Sequence, residues 1–227
     1  MVENFLMIFQ ALPYLLRGSL VTIGLVGGAL FLGFIMGIPM AVGQVYGNKL
    51  IANLIFFYVW FFRGLPVLVL LFLFYFGLFS LMGLNLPAFT SAILVLGLRS
   101  AAYQSQIFRG SIQSLGEGQM LAARSLGMSK IQAIWNIILP QALRISIPGW
   151  SNEYSIILKD SAVSYAIGVM ELLTRANFIS TRTYKPMPVF LTCALIFLLL
   201  TYGGVKVLNL LEKKVRIPGY AYGRREI

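Results

Sequence analysis

The chain has 227 residues, of which 59% are hydrophobic and only 11% are charged, a composition typical of an integral membrane protein. The formal net charge is +11, but the basic residues lie at the ends of apolar segments and form no exposed stripe, which argues against nucleic-acid binding. The sequence has no histidine and one cysteine, Cys193. We therefore predict no metal site, no disulfide bond within the chain and no catalytic residue.

Five apolar segments follow one another along the chain, each long enough to cross a bilayer as a helix of about 20 residues. They span about 19–42, 50–79, 87–108, 147–169 and 188–211. The second contains Arg63-Gly64-Leu65-Pro66, so a kink or break is predicted there. We expect an all-α integral membrane protein with about five transmembrane helices, forming one membrane domain over residues 1–227.

The first apolar segment contains two pairs of glycines separated by three residues. These pairs are Gly24 with Gly28 and Gly33 with Gly37. Such spacing favours close approach of two membrane helices. We predict that the glycines mediate packing within the chain rather than dimerisation.

A polar stretch at about 110–146 separates the third and fourth apolar segments. Ala122 and Ala123 precede Gly127, and an apolar run ends at Leu139-Pro140. This spacing predicts a short helix, a turn at the glycine and a second short helix stopped by proline. The second helix is expected to be amphipathic, with an apolar side formed by Ile131, Ile134, Trp135 and Ile138. An amphipathic anchor on the inner leaflet is the alternative interpretation.

This stretch resembles the cytoplasmic coupling loop of type I ABC importer permeases. The family pattern has Glu-Ala-Ala, three more residues, Gly and later Leu-Pro; the chain matches it except at Leu121, where the glutamate is expected. We therefore expect no carboxylate at this position to pair with the ATPase. Further similarities extend over most of the chain, at Phe62–Pro66, Ala102–Gly110 and Lys159–Ser161.

The resemblance implies type I ABC importer architecture, in which the polar stretch is a two-helix loop that seats on an ATPase. The residues expected to couple to the ATPase are Ala122, Ala123, Arg124, Gly127, Ile131, Trp135 and Pro140. No G-x-x-x-x-G-K-[ST] sequence is present, so the ATPase is expected to be a separate chain. ATP and Mg²⁺ would bind to that chain, and no cofactor is expected in this one.

Two carboxylates in the fourth apolar segment, Glu153 and Asp160, suggest the substrate site. Seven residues apart, they lie on one helix face, separated by about 10 Å. An ionised acid at the bilayer centre costs about 2.5–3.5 kcal/mol, so we predict that both line an aqueous cavity that favours a cationic guest. Arg63 or Arg99 would meet the substrate's α-carboxylate, and Asn152 is included in the predicted site.

The alternative interpretation gives these acids a structural role. Asp160 would neutralise Arg99, and Glu153 would neutralise Arg144. A third interpretation makes Glu153 and Asp160 the coupling acids of an ion-gradient-driven carrier.

The distribution of basic residues predicts the orientation of the chain. With the N-terminus outside, the inner loops and tail hold Lys49, Arg109, Arg124, Lys130, Arg144, Lys213, Lys214, Arg216, Arg224 and Arg225. The outer side holds Arg17, Arg175, Arg182 and Lys185. We therefore expect a multi-pass protein of a prokaryotic cytoplasmic membrane, with the N-terminus outside and the C-terminus inside.

The predicted function is the permease subunit of an ATP-driven importer for polar amino acids, in particular basic ones such as arginine, lysine or histidine; neutral or acidic amino acids are the alternative. No internal repeat is evident, so a second permease subunit, identical or paralogous, would complete the pathway. An extracytoplasmic binding protein would deliver substrate to outer loops 80–86 and 170–187, where Asn177, Arg182 and Lys185 are candidates for contact. A hydrolase is disfavoured because no nucleophile–base pair is evident.

Overall fold

The computed structural model describes residues 2–215, with side chains from residue 6 onward, and all regular structure in this range is helical. The predicted inner-tail residues Arg216, Arg224 and Arg225 lie outside the described residues. The α-helices are α1 (Val2–Tyr46), α2 (Lys49–Gly64), α3 (Val67–Phe72), α4 (Phe79–Leu81), α5 (Ala88–Ser114), α6 (Gly118–Ser125), α7 (Lys130–Ala133), α8 (Leu139–Asp160), α9 (Leu172–Thr183) and α10 (Pro186–Val215). Two π-helical turns, Leu73–Leu78 and Ile134–Ile138, join α3 to α4 and α7 to α8, and a 3₁₀ segment, Ser161–Ile167, follows α8.

Among the described residues, two helices are long and apolar enough to cross a membrane, Leu6–Tyr46 and Pro186–Val215, and the bent pair Lys49–Gly64 and Val67–Leu81 adds a third if it is one span. Helices α5 and α8, with 27 and 22 residues, are also long enough for a hydrocarbon core of about 30 Å, although they carry buried polar side chains. Helix α1 packs along α5, α8 packs against α5 and α10, and α9 packs against α1 and α10. The predicted all-α membrane fold is confirmed.

The break predicted in the second apolar segment is present. Helix α2 ends at Gly64, Leu65 is extended with φ −101° and ψ 141°, and α3 begins after Pro66. The chain bends by 107° at this point. The reason is that a proline disfavours helical geometry in the preceding residue and cannot donate a backbone hydrogen bond.

Two predicted segment boundaries were wrong. The first segment, 19–42, is part of a helix of 45 residues that continues through Pro13 and Pro39. The fourth, 147–169, is not one helix. Helix α8 begins at Leu139 and ends at Asp160, and the following 3₁₀ segment ends at Ile167 and is capped by Gly168, whose φ is +87°. Glycine adopts this left-handed conformation without the steric penalty that other residues incur.

The glycine pairs of α1 pack against α5 of the same chain, as predicted. A Cβ on Gly28 would lie 3.0 Å from Ile93, and one on Gly33 would lie 2.4 Å from Nε2 of Gln104. Positions 24 and 37 would likewise meet side chains or backbone of α5. The small residues therefore let the two helices approach closely.

The polar stretch between α5 and α8 forms the predicted helix–glycine–helix. Gly127 has φ +82° and ends α6, and Ser129 begins α7 with a capping box to Gln132. The prediction that Pro140 stops the second helix was wrong. The backbone N–H of Leu139 donates to the carbonyl of Ile134, five residues back, and the helix continues into α8. This π-helical turn accommodates the proline, which would clash with the carbonyl four residues before it in a regular α-helix.

Candidate functional site

The two acids of α8 lie on one helix face, as their spacing predicted, and this face is turned toward α5. Glu153 accepts a hydrogen bond from Ser100 Oγ at 2.8 Å, and Asp160 forms an ion pair with Arg99. Arg99 and Ser100 are consecutive residues of α5, so the two acids, seven residues apart on α8, contact the same turn of the same neighbour. The face shared by Glu153 and Asp160 is therefore the α5-facing side of α8.

The end of α2 brings a second cation to this place. The guanidinium carbon of Arg63 lies 4.8 Å from the ring centroid of Tyr103, and that of Arg99 lies 4.9 Å from the same centroid. Glu153 joins this group through Ser100, the residue next to Arg99. We call Arg63, Arg99, Tyr103, Glu153 and Asp160 the charge cluster. Two cations stack on one aromatic ring, one acid pairs with Arg99, and the other acid bonds to the neighbour of Arg99.

The structure decides between the interpretations of the two acids only in part. The predicted pairing of Asp160 with Arg99 is confirmed. Within the described residues Glu153 hydrogen-bonds to Ser100, and no contact with Arg144 is seen. Glu153 is 1% exposed, so the expectation that it lines an open aqueous cavity does not hold in this conformation.

The accessible part of the charge cluster is formed by Arg63, Arg99 and Asp160. The side chains of Arg99 and Asp160 are 13% and 22% exposed, and Arg63 is exposed. Nε of Arg99 is buried and has no hydrogen-bond partner in the part of the chain that the structure describes. A buried guanidinium N–H without an acceptor is unfavourable, so an incoming carboxylate would be stabilised there. Asn152 is exposed and lies on another face of α8, so the structure does not bring it into the cluster.

A buried polar network adjoins Glu153. Gln104 donates from Nε2 to Ser100 Oγ and to the carbonyl of Leu30, both at 3.0 Å. Trp150 Nε1 donates to Gln104 Oε1 at 2.7 Å. These bonds join α1, α5 and α8 in the interior of the protein. Sequence reasoning missed Gln104 and Tyr103. For Gln104 a signal was available, because it is a polar amide inside an apolar segment, where an unpaired polar group is costly.

The polar stretch presents an exposed apolar surface away from the core. Its large apolar side chains are Leu121, Leu126, Ile131 and Trp135, exposed by 63%, 83%, 70% and 63%. We call these four residues the coupling surface. Leu121 and Leu126 were not predicted to belong to it.

The remaining residues of the predicted coupling site divide into exposed and buried positions. Ala122, Arg124, Gly127 and Pro140 are exposed. Ala123 is buried, and Ile134 and Ile138, expected to seat on the ATPase, pack in the subunit core with Phe108. Ile134 and Ile138 are buried because the π-helical turn continues directly into α8. This continuous helix turns one side of the π-helical turn toward α5. Only the other side is available to a partner.

One contact ties this stretch to the end of α1. Lys130 Nζ donates to the carbonyl of Tyr46 at 2.8 Å and lies 5.5 Å from the centroid of its ring. A cation at the C-terminus of a helix also interacts favourably with the helix dipole. The first residue of α7 is thereby fixed to the longest helix of the protein.

Comparison with known proteins gives consistent matches over most of the chain. Residues 29–217 match the family described as "Binding-protein-dependent transport system inner membrane component". The nopaline transport system permease protein NocM of Agrobacterium fabrum is 34% identical over 91% of this chain and 89% of its own length. The histidine/lysine/arginine/ornithine transport system permease protein HisM of Salmonella typhimurium is 33% identical over 88% of this chain and 89% of its own length.

A solved structure shows the same fold. The crystal structure of an amino acid ABC transporter with histidines is 34% identical in sequence and superimposes with a TM-score of 0.83. The match covers 92% of this chain and 98% of that one.

Proposed function

Because the chain belongs to the family of inner membrane components of binding-protein-dependent transport systems, we propose that it is the permease subunit of an ABC importer for basic amino acids. Its relatives include permeases for amino acids and a transporter solved with histidines. In this proposal the whole chain acts as one permease domain and carries out no ATP hydrolysis. The partner ATPase would bind ATP and Mg²⁺.

The observation that carries the basic specificity is the charge cluster. Glu153 has no cationic partner in direct contact among the described residues, whereas Asp160 is already paired with Arg99. A cationic side chain that reached Glu153 would provide the missing counter-charge in a site where water is scarce. The α-carboxylate of the same substrate would bind to Arg63 and to the unpaired Nε of Arg99. Asn152 remains a candidate ligand only for a conformation that turns its face toward the pathway.

Access to Glu153 requires a conformational change, because its side chain is 1% exposed. The π-helical turn and the bend at Leu65 are natural positions for such a change, since both interrupt regular helical hydrogen bonding. ATP binding and hydrolysis by the partner would move α8 relative to α5. Alternate exposure of the charge cluster to the two sides of the membrane would follow.

The coupling surface would seat on the ATPase. Its four exposed apolar side chains extend from α6 across the turn at Gly127 to α7 and the π-helical turn, and would fit a hydrophobic groove of a partner. Leu121, at the position of the family's glutamate, would contribute an apolar contact in place of a carboxylate. We further propose that a second permease subunit completes the pathway and that the N-terminus lies outside. Segments 80–86 and 170–187 would face an extracytoplasmic binding protein; the second of them, expected to be a loop, contains helix α9.

The test of this function is ATP hydrolysis by the permease reconstituted in liposomes with its ATPase and binding protein, with each common amino acid added in turn. We expect stimulation by arginine, lysine or histidine and none by acidic amino acids. Stimulation by neutral or acidic amino acids alone would reject the basic specificity. Uptake driven by an ion gradient without ATP would instead support a carrier.

The role of Glu153 is tested by Glu153→Gln, which keeps the acceptor for Ser100 and removes the charge. We expect the Kd of radiolabelled arginine for the purified permease–ATPase complex, without binding protein, to rise about tenfold or more, because a hydrogen bond to a charged group contributes about 1.5–3 kcal/mol. The matched control is Glu212→Gln in α10, outside the charge cluster. An unchanged Kd in Glu153→Gln would remove the main support for the cationic site.

A further inference from the structure

Lys159 is a cation of the membrane domain that the proposed function does not use. It is exposed, belongs to the last turn of α8, and makes no ion pair or hydrogen bond with the described residues. Lys159 lies 20 residues after the start of α8, or about 30 Å at 1.5 Å per residue. The lysine is therefore at the end of the membrane domain opposite to the coupling surface.

Two acids near this end of α8, Asp160 and Glu171, have other partners. Asp160 is paired with Arg99 on α5. Glu171 is completely buried, and its carboxylate accepts the backbone N–H groups of Leu173 at 2.8 Å and Thr174 at 2.6 Å as the N-cap of α9. Neither carboxylate pairs with Lys159, so an anionic partner of this lysine would come from outside the described chain.

An apolar crevice of about 300 Å³ opens beside Lys159. Its other lining residues are Ala162, Leu173, Phe190, Cys193, Ala194 and Phe197. They come from the 3₁₀ segment, α9 and the first half of α10. The crevice thus combines one unpaired ammonium group with aliphatic and aromatic walls.

We propose that Lys159 and this crevice bind an anionic phospholipid, with the lipid phosphate on Nζ and an acyl chain between α9, α10 and the 3₁₀ segment. A free phosphate ion would satisfy the lysine but leave the apolar walls uncovered. A zwitterionic lipid would cover the walls but would bring a cation beside the lysine. A lysine beside an apolar crevice complements both the charge of an anionic headgroup and the surface of an acyl chain. This site is independent of the transported substrate.

The test is native mass spectrometry of the detergent-purified permease–ATPase complex, with phosphatidylglycerol added in steps. We expect one retained lipid per copy of this chain. Lys159→Gln should lower the occupancy about tenfold or more, because it removes the charge-assisted hydrogen bond. Ala194→Phe, which fills the crevice and keeps the lysine, should lower occupancy as well. The control Lys206→Gln removes a charge from an exposed position of α10 outside the crevice and should retain the lipid.

Several outcomes would overturn the proposal. Equal retention by the wild type, Lys159→Gln and Ala194→Phe would show that no lipid binds here. If phosphatidylcholine were retained as well as phosphatidylglycerol, the charge of Lys159 would not contribute to lipid selection. If inorganic phosphate displaced the bound phosphatidylglycerol, the site would bind an ion without an acyl chain. A change in the number of copies of this chain in the complex of Lys159→Gln would identify the crevice as a subunit contact. The mass of the assembled complex also verifies that each variant is folded.

Discussion

Individual residues show how the membrane interior is organised around a few polar contacts. Gly33 has no side chain. The space that a side chain would fill at this position is occupied by Gln104 and Ser100. Gln104 uses this room to bond to Ser100 and Leu30 and to accept from Trp150. The position of Glu153 therefore depends on a glycine of another helix.

This dependence predicts that Gly33→Ala destabilises the protein. Its Cβ would lie 2.4 Å from Gln104 Nε2 and 2.9 Å from Ser100 Oγ, so the amide must move and lose buried hydrogen bonds. Each buried polar group left without a partner costs about 1–3 kcal/mol. We expect a lower midpoint of thermal unfolding for the detergent-solubilised complex.

The matched control is Gly27→Ala in the same helix, where a Cβ would meet nothing within 4 Å. Replacing this helical glycine by alanine should leave stability unchanged or increase it by up to about 1 kcal/mol. Equal decreases in both variants would contradict the steric account of Gly33.

The polar stretch between α5 and α8 has one side packed in the subunit core and one side exposed. Ile134 and Ile138 fix it to the subunit core, while Ile131 and Trp135 remain exposed. The capping box at Ser129 and the contact of Lys130 with Tyr46 fix its start. Force applied to its exposed side would therefore be transmitted to both α1 and α8.

The element-scale prediction concerns Trp135→Asp, which places a charge on the coupling surface. Burial of an uncompensated charge in an apolar groove is unfavourable, so we expect weaker association with the ATPase and loss of substrate-stimulated ATP hydrolysis. Asn136→Asp adds the same charge at the next position, which is exposed and polar, and should associate normally. Co-purification with the ATPase measures both. Normal association of Trp135→Asp would indicate that this surface faces lipid or water.

At the scale of the whole molecule, the charge cluster and the coupling surface lie at separate levels of the described helices. Helix α8 joins them, since it begins at the π-helical turn and carries both acids. The exposed apolar residues of α1 and α10 fit contact with lipid. A transporter needs such a connection, because movement at the ATPase must reach the substrate.

The orientation is predicted at this scale. Single cysteines at Asn85 and Ser125, in a chain with Cys193→Ala, should react differently with an impermeant maleimide. We expect labelling of Asn85→Cys in right-side-out vesicles, and of Ser125→Cys only in inverted vesicles or after permeabilisation, because basic residues are retained inside. The reverse pattern would place the N-terminus inside.

The membrane fold, the break before Pro66 and the shared face of Glu153 and Asp160 were all predictable from the sequence. These features depend on hydropathy, proline geometry and helical periodicity, which are local properties. Three other features emerged only in the folded chain: the burial of Glu153 against Ser100, the position of Tyr103 between Arg63 and Arg99, and the inward orientation of Ile134 and Ile138. Such contacts join residues distant in sequence, and they depend on how each helix is rotated toward its neighbours.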